Sequence, residues 1–112
     1  MKQLEAQHRL ARLTVAILVK IKLHKRDNPI LSKSLEEEFS ITGDKVRDII
    51  RILRRQRIPI ANCGGASEGY FYAETYDQLE PTIADLKARE DSLRITRLEM
   101  MKPFGMDQGL FA

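Results

Sequence analysis

One cysteine, two histidines and no tryptophan are spread over 112 residues. A lone Cys63 cannot close an intramolecular disulfide, which excludes a stapled secreted scaffold and makes a reducing cytoplasm the expected compartment. His8 and His24 have no further histidine or cysteine at ligand spacing, so no metal site is expected. Cys63 has no candidate base beside it in sequence, and no phosphate-cradling glycine loop or paired catalytic carboxylates can be picked out. The chain is therefore read as a non-enzyme that needs no cofactor. Long apolar runs are also missing. The longest, Leu13 to Leu23, is broken by Lys20 and Lys22, too short and too charged for a bilayer, and no small-residue cleavage site follows it. No membrane association is expected, and no repeat or low-complexity tract is found.

What remains is ordinary folding composition. Hydrophobic residues at 43% and charged residues at 31% argue against disorder, and the length suits one compact domain with an appendage. The net charge of +3 is unevenly placed. Residues 1–29 hold seven basic and two acidic residues, 30–62 seven and five, and 63–112 five and nine. A basic front and an acidic back place any polyanion-facing surface in the first sixty residues. The plainer alternative is a charge-balanced solvated surface.

Along the chain, Leu10, Leu13, Ile17 and Ile21 recur at helical spacing and predict a helix over about Leu4 to His24. Val15, Leu18, Val19 and Leu23 widen its apolar surface, as in a helix covered on more than one side. Asp27-Asn28-Pro29 should end it. Ile30-Leu31 suits a very short strand, and Ser32 or Ser34 can cap a helix running to Phe39. After the turn Ser40 to Gly43, a third helix is predicted to Gln56, with Val46, Ile49, Ile50 and Leu53 on one face. Ile58-Pro59-Ile60 and Tyr70-Phe71-Tyr72 flank the glycine-rich loop Asn62 to Gly69 and read as a hairpin, Pro59 marking an edge strand. Thr75 and Gln78 have capping-box spacing. Pro81 predicts either a kink or a later start near Glu80 for the last helix, which runs to about Met101.

Helix, short strand, helix, turn, helix, hairpin resembles a winged helix-turn-helix. The match is carried by Ile17-Leu18, Ile21, Ile30-Leu31-Ser32, Leu35, Phe39, Ile41, Val46, Ile49-Ile50 and Leu53, then Ile58-Pro59-Ile60 and Gly69-Tyr70-Phe71-Tyr72. The strand, glycine loop, aromatic strand and long terminal helix are also similar to those of small phage- or prophage-encoded helix-turn-helix proteins. The resemblance covers roughly residues 10–100 and bears on fold more than on function. The fold it implies is α+β, mostly α: a winged domain over 4–76 with a small β-hairpin wing, a long C-terminal helix over 77–102, and a flexible tail at 103–112.

The resemblance makes the third helix a recognition helix and double-stranded DNA the partner. With the apolar face inward, a rotation of about 100° per residue turns Asp44, Arg47, Asp48, Arg51 and Arg55 outward. Arg47 and Arg51 are candidates for guanine, since one guanidinium donates two bonds to that base. Thr42 lies at the helix start, and Lys45, Arg54, Arg55 and Arg57 suit phosphates. Alternatively, Asp44, Asp48 and the arginines simply form a self-neutralised, solvated face. The wing loop has no lysine or arginine, and its Glu68 would repel phosphate.

In the terminal helix Leu79, Leu86, Leu93 and Met100 repeat every seventh residue, with Ile83 between, and predict a homodimer; Glu90 and Arg97 interrupt the second series. Packing back on the first helix is the alternative. The aromatic run Tyr70 to Tyr72 suggests base stacking, but strand alternation sets Phe71 opposite the tyrosines, so one side must be core. The tail Gln108-Gly109-Leu110-Phe111 is similar to peptides that bind the bacterial sliding clamp, one residue short of their usual spacing; a disordered tail accounts for it as well. The expected function is a phage-type transcription or replication regulator acting by occupancy. Its rivals are a module that docks on a host replication or transcription protein without DNA, and a self-assembling helical protein.

Overall fold

The computed structural model describes residues 2–63 and 69–106 of the chain. It is mostly helical, with one small antiparallel sheet. In order come α1 (Lys2–Lys22), β1 (Ile30–Leu31), α2 (Ser32–Phe39), α3 (Gly43–Arg55), β2 (Ile60–Cys63), β3 (Gly69–Tyr72), α4 (Tyr76–Met101) and a 3₁₀ turn at Lys102–Phe104. The chain divides into two compact units, Met1–Leu79 and Glu80–Ala112. The loop at 64–68 and the tail from 107, to which the Glu68 and clamp-peptide expectations belong, lie outside the described residues.

In the first unit the core is built as the apolar spacing demands. Ile17 and Ile21 of α1, Leu35 of α2, and Val46, Ile49, Ile50 and Leu53 of α3 pack with Ile30, Ile60 and Tyr70 of the sheet. Thr14 shares the buried face of α1, its hydroxyl donating to the Leu10 carbonyl at 2.7 Å, so the polar atom is satisfied one turn back. On the wide apolar surface of α1, Val15 and Val19 are more than half exposed. The helix also stops two residues short of the expected His24. There the backbone is recruited by the sheet, the His24 carbonyl accepting from the Tyr72 amide at 3.0 Å.

The strand order is β1-β3-β2, both pairings antiparallel. Ile30 opposes Tyr70, and Ile60 to Cys63 oppose Tyr72 to Gly69. The hairpin therefore starts two residues later than the sequence suggests and takes in Asn62 and Cys63. Pro59 has no amide to give a ladder, and Ile58 turns its own amide back to the Leu53 carbonyl. Alternation sorts the aromatic run by face. Tyr70 joins the helical core, while Phe71 packs on the opposite face with Ala61, Ala73 and Leu79. Both are buried and offer no open ring face, while Tyr72 is half-buried.

Neither Ser32 nor Ser34 caps α2. The capping position is Leu31, without a side-chain bond, and Ser32 is the first helical residue, donating to Glu36 Oε2 at 3.2 Å. At the other end Ser40 is left-handed, with φ 53, and the amides of Ser40 and Ile41 both close onto the Glu36 carbonyl. Serine carries a Cβ cost in that region that glycine does not. Ser40→Gly is expected to raise stability by about 1 kcal/mol, visible as a thermal midpoint several degrees higher.

The capping spacing before α4 is used. The Thr75 hydroxyl accepts from the Gln78 amide at 3.4 Å, and Gln78 Oε1 accepts from the Glu74 amide at 2.9 Å, one residue before the usual partner. That cap fixes the helix start at Tyr76, so the later start near Glu80 is not what forms, and Pro81 lies inside the helix.

Candidate nucleic-acid interface

Helix α3 follows α2 after only Ser40 to Thr42. Thr42 is its N-cap, the hydroxyl accepting from the Lys45 amide at 3.2 Å. Asp44 in the first turn and Arg54 and Arg55 in the last complement the helix dipole. With Val46, Ile49, Ile50 and Leu53 all buried, the helix cannot rotate, and its other face is held toward solvent.

That face carries Asp44, Lys45, Arg47, Asp48, Arg51 and Arg55, all exposed. The two central arginines are not bare. Arg47 bonds to Asp44 one turn back, and Arg51 bonds to Asp48 at 3.3 Å. Side-chain exposure of 61% and 59% in the second pair keeps it weak, so breaking it costs at most about 0.5 kcal/mol. A bidentate guanine contact discriminates by about 1–3 kcal/mol. Either arginine would exchange an aspartate partner for any base it met.

Arg54, expected as a phosphate contact, is tied to the sheet. It is only partly exposed; its Nε donates to the Ile60 carbonyl at 2.9 Å and an Nη to Asn62 Oδ1 at 3.2 Å. The guanidinium is a brace between α3 and β2, a tertiary role that its flanking helix position did not disclose. Arg57 is exposed and left-handed, with φ 69, just past the helix end. Thr42 is committed to its cap.

One residue missed by sequence reasoning joins the surface. Arg9 of α1 lines, with Ala6, Leu10, Leu13 and Lys45, a shallow groove of about 250 Å³ beside the start of α3. As an exposed residue of α1 it gave no signal, because Lys45 is far away in sequence.

Of the residues expected to pair copies of the chain, Leu79 packs against its own sheet with Phe71. Ile83, Leu86, Leu93 and Met100 are exposed along α4, the last two by 72% and 70%. Among the described residues no three acidic, histidine or cysteine side chains cluster as a metal site, and no helix is long and apolar enough to cross a membrane. Cys63 is a free, half-buried thiol in β2.

No protein-family model, curated protein or solved structure matches the chain.

Proposed function

We propose that the first unit is a winged helix-turn-helix and that the chain binds double-stranded DNA through α3, acting by occupancy as a phage-type regulator of transcription or replication in the cytoplasm. The observation that carries this reading is the division of α3 into two faces. Four buried aliphatic residues lock it in place, and an exposed row of Lys45, Arg47, Arg51 and Arg55 is presented after a three-residue turn. Short α2, turn and α3 in that order suit insertion of the second helix into a major groove. Arg47 and Arg51 read bases; Lys45, Arg55 and Arg57, with Arg9 from α1, bind phosphates. Thr42 and Arg54 support that surface without touching the ligand. The exposed Ile83, Leu86, Leu93 and Met100 favour a homodimer, which would present two such helices to a symmetric site.

Fluorescence anisotropy of a labelled duplex, titrated across salt, tests the reading. Micromolar binding at low salt that weakens as salt rises is expected, because counterion release dominates such affinity. Arg51→Ala should weaken binding to a selected site about 5- to 150-fold, with the fold intact. Absence of any binding near ~20 mM salt, where screening is weakest, overturns the proposal.

A further inference from the structure

A second concentration of positive charge, on residues other than those of α3, stands over Tyr72 of β3. His24, just past α1, and Arg54 in the last turn of α3 reach the same pair of strand residues. The His24 carbonyl accepts from the Tyr72 amide, Tyr72 opposes Ile60, and the Ile60 carbonyl accepts from Arg54. Over the half-buried Tyr72 ring stand two ammonium groups, Lys22 Nζ at 5.6 Å and Lys25 Nζ at 5.3 Å from its centroid. Two cations drawn to one ring lie within roughly 11 Å of each other, near the screening length at ordinary salt. Neither makes an ion pair with a carboxylate among the described residues.

Helix-dipole complementation is the plain explanation for lysines at a helix end. It accounts for Lys20, which also bridges Glu38 at 3.0 Å, and for Lys22 in the last turn of α1. It does not account for Lys25, Arg26 or Arg57, which lie beyond the ends of α1 and α3. Asp27 and Glu74 are the carboxylates nearest in sequence to Lys25 and Tyr72, and neither is bonded to these lysines. Lys20 is thus occupied while Lys22 and Lys25 are held by the ring and still able to bond an anion.

We infer that Lys22 and Lys25, steadied over Tyr72, form a second nucleic-acid contact that binds phosphodiester oxygens of the backbone, separate from the base-reading face of α3. This rests on the DNA-binding reading above and adds to it a site that carries affinity without sequence preference. A double variant K22A/K25A removes both ammonium groups at exposed positions and leaves the core untouched.

The experiment is anisotropy on two unrelated duplexes, across a salt series, for the unaltered chain, K22A/K25A, K22R/K25R and Arg51→Ala. The alanine pair should lose affinity by a similar factor on both duplexes, about tenfold in low salt. The slope of log affinity against log salt should become shallower by about 1.8, the value expected when two phosphates are no longer neutralised. K22R/K25R should keep both affinity and slope, whereas Arg51→Ala should lose affinity for a selected duplex and little for a random one. If the unaltered chain binds and K22A/K25A leaves affinity and slope unchanged, the second contact is overturned while the α3 reading stands. If the unaltered chain binds no duplex, the function itself fails and takes this contact with it.

Discussion

Changing Arg54 to alanine is expected to lower the unfolding free energy by about 1.5–3 kcal/mol, whereas Arg51→Ala, one helical turn earlier, should move it by less than about 0.5 kcal/mol. The difference follows from what each guanidinium faces. Arg51 shares an exposed carboxylate with solvent. Arg54 is partly buried and supplies the Ile60 carbonyl and the Asn62 side chain. Its removal strands an edge carbonyl whose other neighbours are already engaged, since the Ile60 amide turns back to the Ile58 carbonyl at 2.9 Å. Urea unfolding followed by circular dichroism reads both values. Arg54→Lys should recover only part of the loss, because an ammonium cannot fork between two acceptors as a guanidinium does. An Arg54→Ala protein of unaltered stability but weakened DNA affinity would make Arg54 a ligand contact rather than a brace.

Ile49→Ala should have a larger effect, about 2–5 kcal/mol. Ile49 has no exposed surface and lies among residues from α1, α2, α3 and the sheet, so the void left by its missing carbons has little freedom to collapse. Natural domains hold only about 5–15 kcal/mol in total, so the thermal midpoint should fall by roughly ten degrees or more. Ile49→Val, which keeps the branch, should cost about 0.5–1.5 kcal/mol. If the chain binds DNA as proposed, affinity measured well below the lowered midpoint should recover toward that of the unaltered chain, because Ile49 is on the buried face of α3. A persistent loss of affinity in the cold would mean that the packing also sets the angle at which α3 is presented.

The buried face of α3 was legible because four aliphatic residues at helical spacing leave only one way to rotate the helix. The central strand was legible too, since Gly69-Tyr70-Phe71-Tyr72 combines a breaker with alternating aromatics. Features decided by distant partners were not. Arg54 sits on the flank of α3, where a long side chain can turn to solvent or to the sheet, and only the position of β2 selects between them. The start of β2 depends on the paired hydrogen-bond pattern across the hairpin, which moved it past Ile58 and Pro59. Ser32 has the residue type of a cap, yet the chain enters α2 directly from β1, so the serine falls inside the helix. On the candidate surface, the outward arginines followed from rotation alone, whereas the placing of Arg9 beside Lys45 and of Lys22 and Lys25 over Tyr72 arises from tertiary proximity.

The two margins of the three-stranded sheet have a consequence for self-association. Along one margin β1 offers only Ile30 and Leu31 before the chain becomes helical. Along the other, Pro59 lacks an amide, the Ile60 amide is turned inward, and Arg54 occupies the Ile60 carbonyl. Among the described residues, neither margin presents the long run of unspent donors and acceptors that would template an incoming strand. Edge-to-edge pairing of folded copies thus has little described sheet margin to build on.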